Sequence, residues 1–244
     1  MTTPAKILIV EDEAVIAAVL KSNLLQLGFL VAGCAATGQD AIDIAQTMHP
    51  DLVLMDIRLE GEMDGIEAAR RIVAAQDIPI VYLTAFADDE TLTRAKESNP
   101  FGFLAKPFKD DDLKATVEIA LLKHRTESVI RSSEHRYRSL FENSLDPIYQ
   151  ASLEGSILDA NPAMVALFGY SLDELCHLDV SRLYVNPERR DCFFHELVTH
   201  GYVRDFELKF RKKSGAEIDV LESAVVISPP GGEMTGYQGI MRDV

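Results

Sequence analysis

The first half of the chain alternates short apolar runs with longer stretches of helical periodicity. Ile7 to Val10 and Leu52 to Met55 are continuous apolar runs, which is typical of parallel strands buried on both faces. Ala14 to Leu27 has apolar residues at helical spacing and is followed by Gly28, a typical helix stop. The same criteria predict strands at 6–10, 29–34, 52–56, 78–84 and 101–105, and helices at 14–27, 39–48, 65–75, 88–98 and from 110 onward. Their regular alternation indicates an α/β fold with a five-stranded, doubly wound parallel sheet.

The second half has a different pattern, with turn signals at less regular intervals. Asn161-Pro162 combines a helix N-cap with proline at the first helical position, and Ser171 to Glu174 is a capping box. Around these signals we predict strands at 146–151, 156–159, 204–211, 217–227 and 234–242, and helices at 163–168, from 171, and at 187–200. Two strands, several helices and a three-strand meander predict an α+β domain with an antiparallel sheet and helices on one face.

The segment from Ala115 to Leu140, which joins the two halves, contains no proline or glycine. As one helix it would be about 39 Å long. Positions 115, 119, 122, 126, 129, 133, 136 and 140 alternate by four and three, but Thr126, Ser133 and Arg136 interrupt the apolar seam. Two interpretations stay open: an amphipathic helix packed on its own domain, or a signalling helix at a parallel dimer interface.

Composition narrows the class of protein. The chain has 244 residues, 24 Lys+Arg against 39 Asp+Glu, and a formal net charge of −15. Neither half has the basic surface that nucleic acid binding needs, so we expect a cation or a protein as the partner. Cys34, Cys176 and Cys192 are far apart, without metal-ligand spacing. No signal peptide and no run of membrane length occurs, so we expect a reduced, cytoplasmic protein with no membrane partner.

Polar residues stand at the carboxyl ends of four predicted strands. Glu11 and Asp12 follow the first strand, Asp56 ends the third, Thr84 the fourth, and Lys106 follows the fifth. These ends converge on one edge of a parallel sheet, where three carboxylates would repel one another unless a cation lay among them. Oxygen ligands of this kind suit Mg²⁺. A lysine and a hydroxyl can hold phosphoryl oxygens, and a carboxylate can act as the nucleophile that accepts a phosphoryl group.

With these motifs in order, residues 4–123 resemble a response-regulator receiver domain with the flavodoxin-like fold. The resemblance rests on Glu11-Asp12, Asp56, Thr84-Ala85 and Lys106-Pro107-Phe108. It implies that a histidine kinase or a phosphotransfer protein donates a phosphoryl group to Asp56, and that the Lys106–Pro107 peptide bond is cis.

The resemblance also implies roles around the phosphoacceptor. Asp12, Asp56 and the backbone carbonyl of Arg58 would ligate Mg²⁺, and Glu11 would act mainly through water. Thr84 would hydrogen-bond one phosphoryl oxygen, and Lys106 would form an ion pair with another.

Two departures from the family pattern concern the loop and the switch. The loop at 57–65 lacks the usual proline and is one residue longer than the commonest form. Phe103 stands where many receivers have tyrosine, so a switch made with Thr84 would lack the ring hydroxyl.

Residues 134–244 resemble a PAS domain, through the segments 137–143, 159–163, 169–175 and 239–244. We therefore expect a receiver at 4–123, a helical signalling linker at 124–138 and a PAS domain at 139–244. The PAS ligand is unknown. Cys176 and Cys192 do not lie in a flavin-adduct motif, and a haem would need His195 or His200 as its axial ligand. We expect a core without a ligand, packed by Phe168, Phe193, Phe194, Phe206 and Phe210 and used for dimerisation and signal relay.

The sequence thus predicts a two-component phosphorelay protein that passes the change at Asp56 to the PAS domain, as a homodimer through linker and PAS. The alternative is an N-terminal fragment of a hybrid sensor histidine kinase in which a PAS ligand is the main input. No kinase, cyclase or helix-turn-helix motif occurs in the sequence, so we expect no separate catalytic domain here, and a stand-alone protein and a fragment both stay open.

Overall fold

The computed structural model describes residues 3–85, 89–229 and 231–244. The chain divides into two compact units, residues 1–131 and residues 132–244. Among the described helices none is both long and apolar enough to cross a membrane.

The first unit is an α/β domain with a five-stranded, wholly parallel sheet, as predicted. Its sheet has the order β2-β1-β3-β4-β5. The strands are β1 (Lys6–Val10), β2 (Leu30–Ala35), β3 (Leu52–Asp56), β4 (Ile80–Thr84) and β5 (Gly102–Ala105). The helices are α1 (Ala14–Gln26), α2 (Gly38–Met48), α3 (Gly65–Ala75), α4 (Asp89–Glu97) and α5 (Asp110–Glu142), the last of which continues beyond the unit.

Alternate residues of the central strands pack against opposite helical layers. Leu8 and Val53 belong to one buried cluster with residues of α2 and α3. Ile7 and Leu52 belong to a second cluster with residues of α1 and α5. Because both faces are covered, these strands have no polar face, which is why they appear in the sequence as continuous apolar runs.

Helix α5 includes the whole segment that we predicted as one helix. Its N-terminal part packs on the first unit through Leu113, Val117 and Ala120, all fully buried. The predicted seam lies on another side of the helix: Ile119 and Leu122 are 62% and 67% exposed. Packing on its own domain therefore uses residues outside the seam and leaves the seam exposed.

The second unit has an antiparallel five-stranded sheet with helices, also as predicted. Its sheet has the order β7-β6-β10-β9-β8. The strands are β6 (Ile148–Ser152), β7 (Ile157–Ala160), β8 (Tyr202–Arg211), β9 (Glu217–Ile227) and β10 (Gly236–Asp243). The helices are α6 (Pro162–Phe168), α7 (Leu172–His177) and α8 (Pro187–His200), with a short 3₁₀ helix at Val180–Leu183 that the sequence pattern did not predict.

Asn161 organises the start of the second unit. Its side chain is fully buried and caps α6 by accepting a hydrogen bond from Met164 N at 3.0 Å. The same oxygen accepts from Ile148 N at 2.9 Å, and the amide nitrogen donates to the carbonyls of Phe141 and Asp146 at 3.1 and 3.0 Å. Both donors and both acceptor positions of the amide are thus used.

Candidate functional site

The carboxyl ends of the parallel strands bring the predicted acidic residues together. Glu11 and Asp12 follow β1, and Asp56 is the last residue of β3. One oxygen from each of the three carboxylates lies within 4.8 Å of the others. One oxygen of Glu11 is buried without a hydrogen-bond partner in the described part of the chain. A cluster of three carboxylates with an unpartnered oxygen has the chemistry of a Mg²⁺ site, so the residues fit this ion.

Lys106 bridges two of these carboxylates. Its Nζ donates to Glu11 Oε2 and to Asp56 Oδ2, both at 2.5 Å. Burial alone would lower the pKa of Lys106, but the bonds to Asp56 and Glu11 outweigh it and raise this pKa. Burial and the charge of Asp56 raise the pKa of Glu11, although Lys106 opposes that shift. The ammonium group therefore supplies one positive charge against the three carboxylates of the cluster.

The loop after β3 holds the other oxygen of Asp56. The backbone N–H of Arg58 donates to Asp56 Oδ1 at 3.1 Å. At the far end of this loop Asp64 caps α3 by accepting from Glu67 N at 2.8 Å. Gly65 packs directly on the end of β3, since a Cβ added there would lie 1.8 Å from the Asp56 carbonyl oxygen. The loop thus closes tightly behind Asp56 despite its extra residue and missing proline.

An open pocket of about 200 Å³ lies over the cluster. Thr84 and Ala85 form one wall, at the end of β4. The Lys106–Pro107 peptide bond is cis, as expected, and follows the pairing of Thr84 with Ala105. The remaining lining residues are Asp12, Glu13, Asp56, Ile57, Arg58 and Lys106. Of the predicted site residues, Glu11 is buried behind this pocket and Phe103 lies outside it.

Phe103 contacts a residue that the sequence analysis did not single out. Its ring centre lies 5.8 Å from that of Tyr82, which is fully buried on β4. The Tyr82 hydroxyl is 2.8 Å from Ser98 Oγ, and Ser98 Oγ donates to the Ala95 carbonyl at 2.7 Å. Since the single hydroxyl hydrogen of Ser98 is used there, Tyr82 is the donor to Ser98. A polar link to α4 thus exists although Phe103 has no hydroxyl.

The second unit is packed largely as predicted. Phe168, Phe193 and Phe210 are buried in its core, and Phe194 and Phe206 pack against that core. His195 and His200, the candidate haem ligands, are both exposed on α8, so neither faces the core. The core also contains Glu222, which we did not predict. Its position in the alternating pattern of β9, between Val220 and Ala224, was the signal that it points inward.

Comparisons with known proteins divide the chain in the same way. Residues 7–118 match the response regulator receiver domain, and residues 135–244 match the PAS fold. The transcriptional regulatory protein PdtaR of Mycobacterium tuberculosis is 38% identical over 122 residues, which are 50% of this chain and 59% of PdtaR. The regulatory protein AtoC of Escherichia coli is 35% identical over 141 residues, 57% of this chain and 30% of AtoC. The chain therefore spans less than two thirds of either relative.

A solved structure gives the same assignment for the first unit. The signal receiver domain of a modulated diguanylate cyclase from Desulfovibrio desulfuricans G20 is 42% identical, with a TM-score of 0.50. The match covers 51% of this chain and 98% of that domain.

Proposed function

Because the chain consists of a response regulator receiver domain followed by a PAS domain and belongs to two-component signalling, we propose that Asp56 accepts a phosphoryl group from a phosphohistidine. The family implies a histidine kinase as the partner, and the donor is such a kinase or a phosphotransfer protein. In the reaction an Asp56 oxygen forms a bond to phosphorus, the bond between phosphorus and the histidine nitrogen breaks, and that nitrogen leaves with the electron pair.

The observation that carries this proposal is the convergence of Asp56, Lys106 and two further acids under one open pocket. Arg58 N and Lys106 Nζ each hold one oxygen of Asp56, which fixes the direction of the nucleophile. Because Lys106 also lines this pocket, we propose that its ammonium group exchanges a carboxylate for an incoming phosphoryl oxygen. Thr84 lines the same pocket, which supports a role for its hydroxyl in binding another such oxygen.

Mg²⁺ is the cofactor that we propose for this site. Asp12, Asp56 and the carbonyl of Arg58 would ligate it, with Glu11 acting mainly through water. When bound, the ion neutralises the charge on the transferring group. The buried oxygen of Glu11, which has no hydrogen-bond partner among the described residues, supports this assignment, because a water bound to the ion would supply the donor that this acceptor requires.

We further propose that the change at Asp56 is passed on through Thr84 and Phe103 to a linker at 124–138 and a PAS domain at 139–244, in a homodimer formed by linker and PAS. The exposed seam supports a role of the linker in dimerisation. Val129 and Leu140 belong to that seam and are 62% and 70% exposed. Apolar residues repeated at this spacing and open to solvent are what a partner helix would cover.

The test is phosphorylation of the full chain by a small phosphodonor with Mg²⁺, followed by intact-mass measurement. We expect one added phosphoryl group in the wild type, none in Asp56→Asn, and none when Mg²⁺ is chelated. Asp51→Asn is a matched control, because Asp51 is an exposed acid that bonds Lys6 N just before the same strand. Phosphorylation of Asp56→Asn at the wild-type level, or failure of the wild type to bind beryllofluoride with Mg²⁺, would contradict the proposal.

A further inference from the structure

Glu222 places a carboxyl group in the core of the second unit. It lies in the middle of β9, is fully buried, and has the apolar cross-strand neighbours Phe206 and Met241. One carboxyl oxygen accepts a hydrogen bond from the Tyr149 hydroxyl. The other has no hydrogen-bond partner among the residues that the structure describes. Burying a carboxylate without a counter-ion is costly, so this side chain requires a specific explanation.

The contact between Tyr149 and Glu222 depends on a glycine in the strand that separates them. Strand β10 lies between β6 and β9, and Gly239 on β10 pairs with Tyr149 on β6. A Cβ added to Gly239 would lie 2.4 Å from the Tyr149 ring. The ring therefore crosses β10 in the space that glycine leaves free, and its hydroxyl reaches β9. Three strands thus contribute to one polar contact in an otherwise apolar layer.

The titratable and charged groups around this carboxyl come from four packed elements. Tyr149 lies on β6, Tyr237 on β10, Tyr184 after the 3₁₀ helix and Arg190 on α8. Burial raises the pKa of Tyr184 and of Tyr237, Glu222 raises both further, and Arg190 opposes the increase. Glu222 and Arg190 therefore act with opposite sign on the same two rings.

Arg190 has an incomplete set of hydrogen bonds as well, although its charge also acts on Asp179, whose pKa it helps to lower. Its guanidinium group lies 5.8 Å from the ring centre of Tyr184 and 5.3 Å from that of Phe194. Its Nε is buried and has no hydrogen-bond partner within the described ranges. An acid and a base, each with one unsatisfied buried atom, thus border one aromatic cluster. Arg190 is the cation that acts on the same tyrosine rings as Glu222, so we infer that it would compensate the new charge if the acid ionises.

Burial raises the pKa of Glu222 to about 7, although the hydrogen bond from Tyr149 opposes the increase. We propose that the second unit responds to protons: Glu222 holds a proton in the packed core, and loss of that proton to solvent draws the Arg190 guanidinium toward the carboxylate and loosens α8 from the sheet. Helix α8 is the element that must respond, because it carries both Arg190, which would move, and Phe193, which is fully buried in this core. The proposal is independent of Asp56, since every residue involved lies in residues 132–244.

The direct test is an NMR titration of the full chain from about pH 5 to pH 9. We expect the Glu222 side-chain carboxyl carbon and the Arg190 Nε–H signal to change together with a midpoint near 7. In Glu222→Gln the change at Arg190 should disappear. In Glu217→Gln, a matched control at an exposed acid of the same strand that pairs with Arg211, it should persist. A carboxyl carbon that titrates near the ordinary glutamate value of about 4.3 would overturn the proposal.

Amide hydrogen exchange tests the structural consequence. Exchange rates are first corrected for the intrinsic pH dependence of amide exchange. The equilibrium constant for opening of α8 and β9 should then increase about tenfold between pH 6 and pH 8 in the wild type. The reason is that Glu222 is fully ionised at both pH values in the opened form, whereas in the closed form it loses its proton only across this range. Glu222→Gln should lack this increase and Glu217→Gln should keep it. The same increase in wild type and Glu222→Gln would overturn the proposal. If Glu222→Gln does not fold, the carboxyl titration of the wild type decides by itself.

Discussion

Lys106 can be tested as the internal cation of the acidic cluster by replacing it with methionine, which keeps the length of the side chain. Its ammonium group makes two 2.5 Å bonds to carboxylates, and its side chain is 12% exposed, against 0% for that of Glu11. Removing one partner of a buried ion pair costs about 3–5 kcal/mol. Asp56 keeps its hydrogen bond from Arg58 N, and part of the site is open to solvent. For the metal-free Lys106→Met variant we therefore expect the free energy of unfolding to fall by about 3 kcal/mol, near the lower end of this range.

The deficit of Lys106→Met should depend on pH and on Mg²⁺ in a defined direction. Without the lysine, burial and the charge of Asp56 raise the pKa of Glu11 further, and only the backbone hydrogen bond from Glu13 still opposes the shift. The folded state then binds a proton more tightly than the unfolded state, so the deficit should shrink as pH falls and grow as pH rises. Mg²⁺ at about 100 times the dissociation constant of the variant should raise the free energy of unfolding of the variant by about 2.7 kcal/mol over its metal-free value.

The free energy of unfolding of the first unit is measured by amide exchange in peptides from β1 and β3, with the full chain as the sample. Lys109→Met is the matched control, since Lys109 is exposed and lies three residues further along the chain. A metal-free Lys106→Met protein within about 0.5 kcal/mol of the wild type, the usual range for a surface change, would refute the reasoning.

Three further predictions concern other parts of the molecule. Gly65→Ala should lower the free energy of unfolding by about 3 kcal/mol, because its Cβ would overlap the Asp56 carbonyl oxygen, and it should also slow phosphorylation. Thermal unfolding measures the first effect and intact-mass measurement the second. Tyr82→Phe removes the hydrogen bond to Ser98 and should lower the local stability at the end of α4 by about 1 kcal/mol. Amide exchange at the end of α4 measures this loss, and an unchanged exchange rate would contradict a role of Tyr82 in holding that helix end. The pKa of Glu222 is higher in the folded state than its ordinary value of 4.5. The free energy of unfolding of residues 132–244 should therefore fall by about 3 kcal/mol as the pH rises from about 4.5 through 7. Urea unfolding at several pH values measures this change, and a pH-independent free energy would contradict the prediction.

The sequence predicted the elements of the first unit well because its strands are buried on both faces. Strand β1 and helix α3 begin and end where the pattern placed them. The start of helix α3 has one clear signal, the N-cap residue Asp64. Strand β4 begins at Ile80, two residues later than predicted, because apolar character alone does not mark the point where pairing starts.

The contacts within the candidate site were less predictable than its composition. Strand ends place Glu11, Asp56 and Lys106 near one another, but only the folded geometry shows that the lysine bridges the two acids. The bond from Tyr82 to Ser98 joins residues 16 apart through side chains that no local pattern connects. The sequence predicts which groups meet at an edge of the sheet, and the packing decides which of them bind each other.

The core of the second unit shows a different limit. An alternating strand pattern predicts which residues point inward, and Glu222 occupies such a position. We expected an apolar core without a ligand because neither the cysteines nor the histidines of this segment lie in a clear cofactor motif. Whether an inward acid is tolerated depends on a partner two strands away and on Gly239, which the sequence of β9 does not contain.

The buried amide of Asn161 also has a mechanical consequence. It holds the carbonyl of Phe141, one residue before the end of α5, and at the same time the first residue of β6 and the first turn of α6. Tension or torsion applied to the last turn of α5 would therefore load a strand and a helix of the second unit through a single side chain.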